Sequence, residues 1–479
     1  MCRILSALLC LTGLACLLPA ADSRPIQQAQ GSPNIVFVIT DDQRWDYVGY
    51  AGHPALKTPH IDRIGREGVT FDNFFVTTPL CSPSRASFLT GLYPHKHRVI
   101  NNDKLGLDVI SHTLMTFPRQ LREAGYETAF IGKWHMGLDD SRRPGFDTWI
   151  SFKGQGIYID GVVNENGNRR QLDGYMTDFL NDKAVEFVRK PHDKPYCLYL
   201  SHKAVHNPFL PAPRDDSLYS DYDFALPEKI ESDIQGKPAL LRKVEKHNTL
   251  EVEGVAPEPG EPRRNRGRDP QSVVRDQLRS LASVDDGIGQ LFAALEATGQ
   301  LDNTVFIFTS DNGFLMGEHG MINTKRWAYE EALRVPLVVR YPKLIKPGSR
   351  NDAMVVNIDL APTLLDLAGV ESIIPMHGQS FVPLLKDACA PWREAFLAEY
   401  FLEKVAPRTP PWQAVRTDRW KYIHYLEADE HGDPNGLDEL YDLDADPREL
   451  NNLVNNPEQK IRLKEMRAKL QGLLNKFNK

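Results

Sequence analysis

Five short apolar runs punctuate the chain, each rich in β-branched or aromatic residues. They are Asn34-Ile-Val-Phe-Val-Ile-Thr40, Thr128-Ala-Phe-Ile131, Tyr196-Cys-Leu-Tyr-Leu200, Thr304-Val-Phe-Ile-Phe-Thr309 and Val335-Pro-Leu-Val-Val339. Runs without polar alternation predict strands covered on both faces. Between them, apolar residues recur at helical spacing over 111–125, 176–190, 271–299 and 359–369. Alternating β and α segments predict an α/β fold with a large, mostly parallel central sheet flanked by helices. No internal repeat is visible.

Two stretches break this rhythm. Residues 226–270 are rich in proline, glycine and charge, with Arg263, Arg264, Arg266 and Arg268 close together. They read as a long, solvated surface loop, with contact to a polyanion as the sharper alternative. After about 390 the texture changes to strands joined by polar turns, over Ala414–Tyr425 and Leu440–Leu443, then a helix over 456–477. The expected organisation is a signal segment at 1–21, a polar linker at 22–33, a large domain at 34–390, and a smaller antiparallel α+β unit at 391–479.

The N-terminal segment has one early charge, Arg3, an apolar run from Ile4 to Leu18, and small residues before Asp22. This is the pattern of a secretory signal, too short for a membrane span. Acylation at Cys10 or Cys16 is the competing reading. Neither an Asn-x-Ser/Thr acceptor nor a later span occurs, which points to bacterial export, periplasmic or secreted. A net charge of −7 gives no general attraction to nucleic acid or anionic membrane, so an anionic substrate needs a local cluster of cations. Past the signal only Cys81, Cys197 and Cys389 remain. Three cysteines are no disulfide framework, though a Cys197–Cys389 bridge stays open, and Cys81 is the residue that needs a role.

Candidate chemistry gathers at strand ends. The first run leads into Asp41-Asp42, and the fourth into Ser310-Asp311-Asn312-Gly313. Ligands of open α/β sheets bind beyond the carboxyl ends of the strands, and three carboxylates with an amide oxygen there suit Ca²⁺ or, less well, Mg²⁺. A lone Asp-Asp pair is usually a solvated loop or a helix cap; two clusters at two buried strand ends favour ligation. In Cys81-Ser-Pro-Ser-Arg85, Pro83 suits the first turn of a helix and places Cys81 at its positive end. Cys81 reads either as a buried structural thiol or as a reactive thiolate whose pKa Arg85 lowers.

Cys81-x-Pro83-Ser84-Arg85, followed by Leu89-Thr90-Gly91, resembles the signature of type I sulfatases of the alkaline phosphatase superfamily, and the resemblance runs from Asn34 to about Leu453. It implies an alkaline-phosphatase-like fold and conversion of Cys81 to 3-oxoalanine (formylglycine) by a formylglycine-generating maturation enzyme. It also implies that Asp41, Asp42, Asp311 and Asn312 hold calcium together with the modified Cys81. By the same resemblance Arg85 holds the formylglycine hydrate, Lys133 and Lys325 grip sulfate, His135 takes a proton from the hydrate, and His206 protonates the departing alcohol. One hydroxyl of the hydrate would attack sulfur, with Asp311 accepting its proton, and the other would later expel sulfate. His202, four residues before His206, is left as a residue that supports the site from behind or is simply structural. After Lys325 the chain carries Arg326 and Trp327 where glycines are common in the family.

Gly145-Phe-Asp, Ser151-Phe-Lys-Gly-Gln-Gly156, Asn164-Glu-Asn-Gly167 and Leu198–His206 are similar to segments of N-acetylglucosamine-6-sulfatase relatives. They imply a 6-O-sulfated amino sugar or glycan as substrate, ahead of other sulfated polysaccharides. Trp149, Tyr158 and Trp327 could stack a sugar ring, although core packing is the commoner fate of such residues. The competing classes are a phosphate or phosphonate monoester hydrolase and a non-catalytic polyanion binder; the latter should have lost Cys81, Asp311 or the lysines, and all are present.

Overall fold

The computed structural model describes residues 31–102, 106–224, 234–242 and 269–478. The signal segment, most of the 22–33 linker and the four arginines between 263 and 268 lie outside the described residues. The main sheet comprises β1 (Asn34–Thr40), β2 (Val69–Phe71), β3 (Glu127–Gly132), β4 (Thr148–Ser151), β5 (Val162–Glu165), β6 (Asn168–Gln171), β7 (Tyr196–Ser201), β8 (Thr304–Ser310), β9 (Leu337–Arg340) and β10 (Ser349–Asn351). Their order is β10-β2-β9-β8-β1-β7-β3-β4-β5-β6.

The five central strands, β8-β1-β7-β3-β4, run parallel. Antiparallel pairing enters on both sides, at β8–β9 and β4–β5. The fifth apolar run thus became an antiparallel strand, and it begins after Pro336, which has no N–H for the ladder. Along β1, Ile35, Phe37 and Ile39 enter one core while Val36 and Val38 enter the other, and all are fully buried. Two covered faces are why this strand reads as an unbroken apolar run.

On one face lie α1 (Pro59–Glu67) and two longer helices, Met176–Arg189 and Pro270–Ala297; the opposite face carries α2 (Cys81–Thr90) and Leu360–Leu367. The helix expected over 111–125 is two pieces, Leu107–Thr113 and Phe117–Glu123. Thr116 caps the second by accepting a hydrogen bond from the Arg119 N–H, and Pro118 sits in its first turn. A second, four-stranded antiparallel sheet is formed by Ala395–Tyr400, Trp412–Thr417, Trp420–Tyr425 and Glu439–Asp442, with the helix Lys460–Phe477 against it. Within the stretch expected to be loop, Lys237 and Ala239 are buried, so that part is packed rather than solvated.

Candidate active site

Four neighbouring parallel strands deliver the site from their carboxyl ends. β1 ends at Asp41 and Asp42, β8 at Asp311 and Asn312, β3 at Lys133 and His135, and β7 leads to His206. Thr40 pairs with Ser310 in the ladder, so Asp41 and Asp311 leave the sheet side by side. The exit from β3 needs Gly132: its φ is +120°, and a Cβ there would lie 1.8 Å from the Ser201 carbonyl oxygen. Asp42 (φ 62°) and His135 (φ 56°) hold left-handed backbone without being glycine, local strain of a kind that gathers at functional sites.

Helix α2 begins at Cys81 as its proline predicts, and all ten of its residues are buried. One turn on, Arg85 is the hub. Its Nη2 donates to Asp41 Oδ2 (2.9 Å), its Nε to Asp311 Oδ2 (2.8 Å), and its Nη1 to the Lys133 carbonyl (2.9 Å) and Ser201 Oγ (2.5 Å). Lys133 Nζ pairs with Asp41 and lies 4.0 Å from Cys81 Sγ. Lys325 Nζ pairs with Asp42 and donates to Cys81 Sγ at 2.8 Å. His206 Nε2 lies 3.7 Å from Asp42 Oδ2, and its Nδ1 donates to the Asn207 carbonyl at 2.6 Å. A carbonyl can only accept, so the proton of the neutral ring is on Nδ1 and Nε2 faces the acids. His135 joins the nucleophile helix through its carbonyl, which accepts from Ser82 Oγ at 2.5 Å.

Three carboxylates meet three cations in this buried space, but the cations serve the acids unequally. Burial, reinforced by Asp41 and Asp311, pushes Asp42 up to about 6 despite Lys325. Burial and Asp41 likewise raise Asp311. Asp41 resists its burial because Lys133, Arg85 and Lys325 hold it well below the usual carboxylate range. A cation would relieve the two raised acids. Asp41, Asp42 and Asp311 place ligand atoms within 4.8 Å of one another, and the buried Oδ1 of Asn312 beside them makes no hydrogen bond. This all-oxygen donor set fits a hard divalent ion.

The surroundings of Cys81 disfavour its thiolate form. Burial first, then Asp41, push the thiol up to about 12, more than Lys133 and Lys325 offset, and Arg85 spends its donors on Asp41, Asp311, Lys133 and Ser201. Beside it the imidazoles stay neutral: burial, then Lys133, lower both His135 and His206.

The site also uses residues the sequence did not single out. Ser201 Oγ accepts from Arg85 and donates to the Lys133 carbonyl at 2.7 Å. Asn102 Oδ1 accepts from the Ser82 N–H at 3.0 Å, and the Asn102 N–H donates to the buried Glu403 at 3.0 Å. Glu403 also pairs with Arg326, which holds a left-handed backbone at φ 86°. Only Ser201 had a local signal, as the last residue of a strand ending in Ser-His-Lys. Trp149 stacks on Phe130 at 4.8 Å, and Trp149, Tyr158 and Trp327 are all buried, so none presents an open face to a sugar. His202 is fully buried, and neither of its ring nitrogens makes a hydrogen bond among the described residues. Cys197 is buried and Cys389 exposed, and both are free.

Among the described residues, another group of metal-binding side-chain types, His319, Glu331 and Glu449, lies elsewhere. There Lys237 Nζ donates to His319 Nδ1 at 2.9 Å, which leaves the ring proton on Nε2, facing Glu331, and removes the histidine as a ligand.

Residues 33–370 match the family described as Sulfatase, and residues 317–476 match one described as N-sulphoglucosamine sulphohydrolase, C-terminal. The chain is 34% identical, over 95% of its length and 88% of the relative's, to an N-acetylglucosamine-6-O-sulfatase of Bacteroides thetaiotaomicron. It is 32% identical, over 88% of its length and 81% of the relative's, to the N-acetylglucosamine-6-sulfatase of Homo sapiens. A solved structure of a protein in complex with its substrate D-glucosamine-2-N,6-O-disulfate superimposes with a TM-score of 0.81, at 32% identity over 94% of this chain and 98% of that one.

Proposed function

Because this chain belongs to the sulfatase family and is a sulfuric ester hydrolase, we propose that it removes the 6-O-sulfate of N-acetylglucosamine or a related glucosamine unit of a glycan, using Cys81 as formylglycine and a bound calcium ion. The observation that carries the chemistry is the seat of Cys81. Its Sγ, standing where the formylglycine oxygens would be, lies at a buried helix start between two ammonium groups and beside the acid cluster. The sugar assignment is supported by the relatives and by the substrate of the superimposed structure.

Asp41, Asp42, Asp311 and Asn312 would hold the cation, with an oxygen of modified Cys81. Bound there, it supplies Lewis-acid stabilisation of charge on the ester oxygens. Formylglycine in its hydrated form supplies two hydroxyls on one carbon. The chain's own groups do the rest. Arg85 fixes Asp41 and Asp311 and holds the residue-81 side of the site. Lys133 and Lys325 leave their carboxylate partners to neutralise the incoming sulfate, a field worth most where water is excluded. Asp311, oriented by the Arg85 Nε–H at 2.8 Å, would accept the proton of the attacking hydroxyl. His135, neutral and buried, is a base for the second hydroxyl. His206 Nε2 is the donor to the departing alcohol; burial first, then Lys133, Lys203 and Lys325, depress its pKa, and an anionic ester would offset the lysine charges. The N-terminal apolar run supports export to the periplasm or the exterior, and a maturation enzyme would have to act on the chain before it folds around the buried residue 81. Among the described residues no helix is long and apolar enough to cross a membrane.

A panel of sulfated sugars tests the assignment. Sulfate release from N-acetylglucosamine-6-sulfate should exceed that from 2-O- and 4-O-sulfated sugars by at least about 100-fold, the discrimination expected when buried polar groups are left unpaired. Faster release from another linkage would replace the sugar while keeping the chemistry. Calcium is tested separately by thermal melting after chelation. Added at about 100 times its Kd it should stabilise the fold by about 2.7 kcal/mol. Asp42→Ala should remove that response, and a melting point blind to calcium in the parent protein would remove the ion from the proposal.

A further inference from the structure

His206 lies in irregular backbone beyond β7, where its N–H donates to the Lys203 carbonyl at 3.0 Å and its carbonyl accepts from the Phe209 N–H at 3.1 Å. Two tyrosines from a different part of the chain grip that backbone. The Tyr158 hydroxyl donates to the carbonyl of His206 itself at 2.7 Å, and the Tyr175 hydroxyl donates to the carbonyl of Leu210 at 2.8 Å. Their rings lie face to face, centroids 5.9 Å apart with 12° between the planes. The pair is locked to itself by the Met176 N–H donating to the Tyr158 carbonyl at 2.7 Å and by a bridge between Ile159 and Tyr175. Both rings are buried, and Lys203 sits over the Tyr158 ring at 5.0 Å.

The two hydroxyls therefore hold one loop at two points, 206 and 210. The imidazole of His206 hangs from the first of them, and its Nδ1 is oriented by the next carbonyl along, that of Asn207. Shifting the 206–207 backbone would move both the ring and the carbonyl that fixes its tautomer. A proton donor must reach the departing oxygen to within hydrogen-bond distance, so small displacements matter to it.

We propose that the stacked pair Tyr158–Tyr175 is a positioning device for the proton donor His206, required in proportion to how much the leaving group needs a proton. The inference rests on the reading of His206 as that donor. A sugar hydroxyl is a poor leaving group and depends on protonation; 4-nitrophenolate leaves as a stable anion and does not. The rings themselves touch no reacting atom, so the role is positional.

The test compares Tyr158→Phe and Tyr175→Phe with the parent enzyme on two esters, the sugar sulfate turned over fastest and 4-nitrophenyl sulfate. Phenylalanine keeps the stacked rings and removes only the hydroxyls. The expected result is kcat lowered about 10-fold on the sugar ester, part of the 10²–10⁴-fold general acid contribution, with KM unchanged within about 2-fold. On the aryl ester both constants should stay within about 2-fold. Unchanged kcat on the sugar ester, equal losses on the two esters, or kcat and KM moving together would overturn the proposal. His206→Ala is run alongside. If it slows the two esters equally, the assignment of His206 as donor is what fails; if it is selective for the sugar ester and the tyrosine variants are not, the clamp is what fails.

Discussion

Cys81→Ala is expected to lower kcat/KM by at least about 10⁴-fold, the scale seen when a covalent nucleophile is deleted. The same change should leave the fold intact. Cys81 contributes one small buried side chain at the start of α2, and its removal frees Lys325 to pair with Asp42 alone. Cys81→Ser separates the oxidised side chain from a simple alcohol. Serine offers one hydroxyl, enough to take the sulfo group from a substrate but with no second hydroxyl to expel it. The expected result is at most one turnover per molecule, with the protein heavier by one sulfo group in intact mass spectrometry. Sustained turnover by the serine variant would show that two hydroxyls are not needed. Because burial keeps the thiol protonated, with its pKa pushed up to about 12, unconverted Cys81 should be no better than alanine.

Arg85→Ala should harm both folding and catalysis. The guanidinium donates to two buried carboxylates, a carbonyl and a hydroxyl at once, and it is almost fully buried itself. Removing one partner of a buried ion pair leaves charge uncompensated, at a cost of about 3–5 kcal/mol. The loss should be largest with metal chelated and smaller with calcium present, because a divalent ion would compensate the same acids. Arg85→Lys should rescue little, since an ammonium cannot reach Asp41 and Asp311 with the planar fork that bridges them. Chemical denaturation with and without calcium measures the first effect, and sulfate release measures the second. Equal stability of Arg85→Ala and parent in chelator would contradict the role of Arg85 as the counter-charge of the acid cluster.

The parts legible in the sequence were those with a local physical cause. β1 shows as a continuous apolar run because both of its faces are covered, and the helix at Cys81 shows because Pro83 fits only its first turn. The acids at the ends of β1 and β8 could be paired because buried parallel strands put their ends together. What stayed hidden depends on contacts across long separations. Nothing near Val335–Val339 signals that this strand runs against β8, and nothing local marks Asn102 or Glu403 as supports of the nucleophile helix, since they meet 301 residues apart. For Tyr158 core packing was the favoured reading and its ring is buried; what no local signal gave is that its hydroxyl serves the His206 loop. The state of Cys81 was ambiguous for a similar reason, because the sequence shows Arg85 one turn away but not that its donors are taken by Asp41 and Asp311.

The most direct measurement is sulfate release from N-acetylglucosamine-6-sulfate by preparations in which the fraction of formylglycine at position 81 varies and is quantified by mass spectrometry of the peptide. Calcium is held saturating throughout. Specific activity should rise in proportion to the converted fraction and extrapolate to zero at zero conversion. Activity that is the same in unconverted and converted protein would contradict the nucleophile assigned here.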